Sequence, residues 1–205
     1  MKVAYYINAH KILVIPLVLF MMWYYNNWTT EAYVYLSIHG SYSVLWLIKH
    51  ELFPDGRFEE KQPFFIGLFF IFLPLAGYYI APYILISNRI ELQPYLIGIV
   101  LFLYSMGIFL HYVSDAQKYY TLQHQKGLID KGLFSRTRNP NYLGEILMYS
   151  AFSLMSLHWL PFLILGGWVF GFFLRNMLKK DKSLSRHAGW DAYKKRSWLL
   201  FPKPF

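Results

Sequence analysis

The amino-acid sequence predicts an all-α fold: a polytopic membrane helical bundle of about six transmembrane helices, closing in a C-terminal helical hairpin, with both termini cytosolic. Three observations lead there. The chain is 56% hydrophobic and 15% charged, against roughly 45–50% and 25% in soluble domains. Its apolar residues fall in long runs instead of alternating, and only helices or closed barrels satisfy the backbone in hydrocarbon. Its positive charge, finally, gathers on alternate loops.

The runs are Ile12–Tyr25, Ala32–Ile48, Pro63–Ile86, Tyr95–Val113 and Tyr142–Leu174. The first follows Lys2 and Lys11 in the manner of a signal peptide. What comes after it, however, is Met22-Trp23-Tyr24-Tyr25-Asn26-Asn27-Trp28, an interface belt and not a small-residue cleavage site, so we read it as a helix. The last run is interrupted by His158, Trp159 and Pro161 and reads as two short arms. An arm of about 15 residues spans roughly 23 Å, less than the ~30 Å hydrocarbon core, so the hairpin either spans or re-enters.

Of the 20 Lys and Arg residues, two precede the first helix, three lie in 49–61, five in 114–141 and nine in 175–205. Arg89 alone falls in an intervening loop. The positive-inside rule places the rich loops in the cytosol. The net charge of +9 then follows from topology and anionic headgroups, with membrane lipids as partners and no nucleic acid required. The absence of cysteine excludes disulfides, thiolate metal sites and thiol nucleophiles. His10, His124, His158 and His187 show no ligand spacing, so no metal site is expected. The chain contains no Walker or Rossmann glycine pattern.

Specific polar residues concentrate in the loop 114–141, the start of the hairpin and the tail. They read Ser114-Asp115-Ala116-Gln117-Lys118, Gly132-Leu133-Phe134, Arg138-Asn139-Pro140-Asn141-Tyr142-Leu143-Gly144-Glu145, Leu174-Arg175-Asn176, Lys179-Lys180-Asp181 and Gly189-Trp190-Asp191-Ala192-Tyr193. Pro140 begins a helix well, and Glu145 in its first turns complements the positive N-terminal end. A plain structural account pairs Glu145 with Arg175 across the hairpin mouth. A carboxylate at the membrane boundary is also a functional candidate by default.

These motifs carry a resemblance. Over residues 109–205 the chain resembles the membrane superfamily that joins steroid 5α-reductases, sterol reductases and isoprenylcysteine carboxyl methyltransferases. The shared features are the Gly-Leu-Phe step, Arg-x-Pro-x-Tyr-x-Gly from Arg138 to Gly144, the hairpin, and the basic tail with Gly189-x-x-x-Tyr193 before Pro202. The resemblance implies one of two chemistries. Reductase members match at Asp115, Lys118, Asn141, Tyr142, Glu145 and Arg175, positions that hold a nicotinamide cofactor there. Methyltransferase members match at His111, Lys118 and Arg138 to Gly144, with Asp181 as a partial match to a tail acid. Tyr193 joins the cofactor-binding set. Two positions depart from the pattern: Asn139 replaces a common histidine, and Lys180-Asp181 stands where paired acids are frequent.

Asp115 and Glu145 favour the first chemistry. We therefore expect an NADPH-dependent reductase of a carbon–carbon double bond in a lipophilic, steroid- or lipid-like substrate. The alternative is a methyltransferase using S-adenosylmethionine. A structural scaffold would explain the hydrophobicity but not the clustered polar residues. The chain is expected to be one membrane domain, with 1–108 on the substrate side and 109–205 holding the cofactor. Its site would face the cytosol of a bacterial inner membrane. In the front half His39 and Tyr42 share a helix face. Each could polarise or protonate a substrate, with Glu145 as a further catalytic candidate, or could simply tie helices together.

The topology is open to direct test. Cytosolic reporters fused after Phe205 or within 49–61 should be active, and those near Thr29 or Asn88 inactive. Activity at Asn88 would overturn the helix count.

Overall fold

The computed structural model describes residues 1–204. It is all-helical, 76% helix, without strands among the described residues. Seven helices and two short 3-10 turns, Gly56–Glu59 and Gly132–Phe134, account for it, the helices being α1 (Val3–Tyr24), α2 (Thr30–Leu52), α3 (Phe64–Ser87), α4 (Pro94–His124), α5 (Pro140–Leu154), α6 (Trp159–Leu184) and α7 (Trp190–Arg196). Four of them, α1, α3, α4 and α6, are long and apolar enough to cross a membrane. α2 matches them in length but carries Ser37, His39, Ser41, Ser43 and Lys49; α5 has only 15 residues.

Two boundaries differ from the sequence reading. The apolar run that ends at Val113 continues as helix to His124, because Ser114–His124 contains no glycine or proline and is rich in helix-compatible residues. Asp115 and Lys118 therefore lie on α4 and not in a loop. The second hairpin arm likewise runs past Leu174 to Leu184, so the polar stretch Arg175–Asp181 is helical and that arm is 26 residues long. The break between the arms falls where expected. Leu157 adopts φ 45°, His158 Nδ1 accepts from the Leu160 amide at 3.1 Å and so caps α6, and Pro161 sits in the first turn, where its missing N–H costs nothing.

The helices are not uniform. α3 widens into a π-turn over Leu68–Phe72. Pro74 follows, and its ring crowds the carbonyl of Phe70 four residues back, a recognised cause of such a turn.

The chain divides into two compact units. Unit 1 comprises Met1–Tyr104 with Ser150–Ile164, and unit 2 comprises Ser105–Tyr149 with Leu165–Phe205. In unit 1, α1 packs on α2 and α3. The Tyr6 ring fills the notch over Gly67, where an added Cβ would stand 2.1 Å from it, and its hydroxyl donates to the Phe64 carbonyl at 3.2 Å. Lys2 pairs with Glu59 at 2.6 Å and the Val3 amide donates to the Glu60 carbonyl. The N-terminus is thus tied to the segment before α3.

In unit 2 an apolar cluster of Tyr142, Phe173 and Met177 joins α5 to α6. Leu199 and Leu200 of the tail pack against it. Burying these two leucines draws the tail toward the Arg138 segment. Leu199→Ala should therefore loosen the tail, raising proteolytic cleavage after Arg196 while the melting temperature falls by a few degrees.

Candidate functional site

Unit 2 builds its polar centre around a helix crossing. A Cβ on Gly144 would stand 2.5 Å from the His111 nitrogen and 2.6 Å from the Gly107 carbonyl oxygen; one on Gly107 would stand 2.7 Å from the Gly144 oxygen. The backbones of α4 and α5 touch there, and no larger residue fits.

One turn along α4 from Gly107, His111 is buried against the start of α5. Its Nδ1 lies 3.3 Å from the Asn141 carbonyl oxygen and 3.6 Å from Glu145 Oε1. Because a carbonyl only accepts, Nδ1 carries the proton in that contact, an assignment made from the geometry. Nε2 lies 4.0 Å from Asp115 Oδ2, one turn further on. One imidazole therefore sits between two carboxylates, and both carboxylates keep some exposure, 14% for Asp115 and 18% for Glu145. Such a set can move a proton or bind hydroxyl and amide groups.

The second part of unit 2 is a clamp on Arg138. Its guanidinium meets Asp181 of α6 through Nε at 3.1 and 3.0 Å and through Nη2 at 3.0 Å. Nη1 donates to the Ser197 carbonyl at 2.5 Å. Its amide donates to Trp198, whose own amide donates to Arg136. Lys180 donates to the Arg138 carbonyl at 2.7 Å and to Asn139 Oδ1 at 3.1 Å, while the Asn139 amide group donates to the Leu199 carbonyl at 2.8 Å. Asn139, the departure from the family pattern, thus has an anchoring role that uses both ends of its amide. Tyr193 closes the clamp by donating to the Phe134 carbonyl at 2.8 Å. Burial pushes its phenol up to about 12.

The other expected residues are placed as follows. Asn141 contributes its backbone, Tyr142 is buried in the apolar cluster, and Lys118 is half-buried on α4. Arg175 is exposed on α6 and makes no ion pair with Glu145. Glu145 faces His111 instead. The reason is the length of α6: Arg175 lies on a continuous helix and not at a hairpin mouth.

His39 and Tyr42 belong to unit 1, and both are buried. His39 does not pair with Tyr42. Its Nδ1 contacts the Tyr35 hydroxyl at 3.1 Å, one turn back, and its ring stacks on Phe152 at 4.5 Å. Its Nε2 has no hydrogen-bond partner, and neither does Ser43 Oγ one turn on. The Lys11 ammonium sits 4.0 Å over the Tyr42 ring.

Sequence reasoning weighed His10 only as a metal ligand, for which it lacked the spacing, and counted Lys11 and Lys49 among the topological charges. All three are buried within helices. His10 stacks on Tyr79 at 4.7 Å, and its ring centre lies 6.4 Å from that of His39. The Leu75 backbone is near enough to act on it electrostatically, yet neither ring nitrogen has a partner at hydrogen-bond geometry. A signal did exist in the sequence, since His10 and Lys11 stand inside a stretch that continues into the first apolar run.

These features define an integral membrane protein with long apolar helices and a polar, carboxylate-rich centre in unit 2. Residues 56–196 match the family model described as "Protein of unknown function (DUF1295)". The chain belongs to this family, which contains steroid 5-alpha-reductase-like membrane proteins, consistent with the superfamily resemblance of its motifs. No curated protein and no solved structure matches it.

Two measurements follow. Asp181→Asn leaves a buried guanidinium without its counter-charge. Breaking a buried pair costs about 3–5 kcal/mol, and the partial exposure of Asp181 puts the loss at the lower end, visible in a thermal melt. Tyr193 ionises at 10.0 in the unfolded chain and about 12 in the folded one. The stability it contributes is therefore complete below pH 10 and disappears as pH rises through 12. Tyr193→Phe should remove that part of the alkaline transition, as followed by absorbance at alkaline pH.

Proposed function

We propose that this chain is an NADPH-dependent reductase acting on a carbon–carbon double bond in a lipophilic, steroid- or lipid-like substrate. Family membership carries the reading, because the family contains steroid 5-alpha-reductase-like membrane proteins. The residues of unit 2 fit such a cofactor chemically. Asp115 and Glu145 are partly accessible acceptors beside an imidazole, suited to ribose hydroxyls or a carboxamide. Lys118 and the exposed Arg175 offer cations for phosphate. Arg138 has its charge balanced by Asp181, so its part is to hold Asn141, Tyr142 and the tail in position. Asp181 is the tail acid that a methyltransferase reading would draw on, and its engagement with Arg138 counts against that reading.

NADPH, when bound, would supply the hydride. In unit 1, His39 presents Nε2 as the atom able to meet a substrate oxygen, with Tyr35 fixing the ring through Nδ1. Tyr42 offers a phenol as proton donor. The reading carries a topology of about six membrane helices, α2 and α5 included, with both termini in the cytosol.

Calorimetry on the detergent-solubilised protein tests it. NADPH should bind, and Arg175→Ala should weaken that binding by roughly 10- to 150-fold, the worth of one charge-assisted contact. S-adenosylmethionine should give no heat. Binding of S-adenosylmethionine alone would sink the reductase and support the methyltransferase.

A further inference from the structure

The cofactor chemistry proposed for unit 2 draws on Asp115 and Lys118 of α4. Between them in sequence stands a residue to which it assigns no part, Gln117.

The side-chain amide of Gln117 meets one glycine of the α4–α5 connection on both sides. Its Nε2 donates to the Lys131 carbonyl at 2.9 Å, and its Oε1 accepts from the Leu133 amide at 3.1 Å. The two partners assign that orientation, since a carbonyl only accepts and a backbone N–H only donates. Gly132, between them, has φ 57°, and a Cβ there would stand 2.7 Å from Gln117 Nε2. The position requires glycine twice over, for its backbone and for the amide that lies against it. Gln117 is as specific. An Asn would withdraw the amide by one methylene, and a Glu would set an oxygen against the Lys131 carbonyl.

The turn pinned in this way leads on to the rest of unit 2. The Phe134 carbonyl accepts from Tyr193, and the Phe134 ring takes the Lys180 ammonium at 5.2 Å. Lys180 in turn donates to the Arg138 carbonyl and to Asn139, and two residues further on the Asn141 carbonyl meets His111. The connection thus returns along α4 and is fastened to it at Gln117 and at His111. The fastenings lie six residues apart, about 9 Å along the helix. Asp115 falls between them, and the helical repeat places it about 160° around the axis from Gln117. The Lys131–Leu133 turn is therefore held on the far side of α4 from Asp115. The Asp115 side chain keeps 14% exposure, which a ribose hydroxyl needs in order to reach it.

We propose that Gln117 is a positioning residue for the cofactor: by holding the Lys131–Leu133 turn on its own side of α4, it keeps the Asp115 carboxylate open to the dinucleotide. Gln117 itself touches no part of that ligand. Released from Gln117, the turn is free to move across α4, and binding must first return it to its place. The inference rests on the NADPH reading given above.

The test uses the full chain in detergent, well below its melting temperature, with NADPH titrated by calorimetry. Gln117→Leu should weaken binding by about 10-fold, roughly the worth of one or two neutral hydrogen bonds. Gln117→Glu, which keeps the acceptor and loses the donor, should give a smaller loss. Ser135→Ala is the control, because its hydroxyl donates to the Gly132 carbonyl at 2.8 Å and steadies the same turn without a bond to α4. It should lower the melting temperature and leave NADPH affinity unchanged, as Gln117→Leu would do if Gln117 served stability alone. One measurement needs no variant: hydrogen exchange on the native, ligand-free protein should find the Leu133 amide protected. Unaltered NADPH affinity in Gln117→Leu would overturn the proposal, as would equal weakening by Ser135→Ala or unprotected exchange at Leu133. A native protein that binds no NADPH would overturn the reductase reading itself, and this inference with it.

Discussion

The contact of α4 with α5 at Gly107 and Gly144 governs the polar centre of unit 2. With Cβ distances of 2.5–2.7 Å to backbone atoms, neither position tolerates a methyl group, and the helices are as close as backbones can come. That closeness sets His111 against Asn141 and Glu145. At this crossing the ring meets a backbone carbonyl of the neighbouring helix directly. The two glycines give up helix propensity, about 1 kcal/mol each relative to alanine, and the positioning of one histidine between two carboxylates is what that loss permits.

Much of the architecture is legible in the hydrophobic pattern, because a membrane helix must be apolar along nearly its whole length. The break at Leu157–Pro161 is legible for the same reason. Polar ends are not. Once a helix leaves hydrocarbon its sequence no longer has to be apolar, so Ser114–His124 and Arg175–Leu184 read as loop and tail although both are helical. The motif residues His111, Asp115 and Glu145 were recognisable, yet their approach depends on the glycine crossing, for which Gly144 alone gave a hint. The pairings Arg138–Asp181 and Asn139–Leu199 join residues 43 and 60 positions apart, and no local pattern encodes them.

Unit 1 shows the opposite economy. His10, His39 and Ser43 are buried with ring or hydroxyl atoms that have no partner, where a typical protein satisfies nearly all such groups. Helices packed only for stability would carry apolar residues at these positions. Lys11 is likewise held over an aromatic face inside its helix, not at a helix end.

The clamp on Arg138 also bears on how the protein is made. Its partners Asp181, Ser197 and Trp198 are translated 43 or more residues after it. At about 5–20 residues per second, the ribosome leaves this guanidinium without its carboxylate for several seconds after the segment emerges. Unit 2 cannot close in order from its beginning; it must wait for Asp181 and Ser197. A chain that stops short of Ser197 would present an open clamp to quality-control proteases, so the far half of the clamp is what shields the near half.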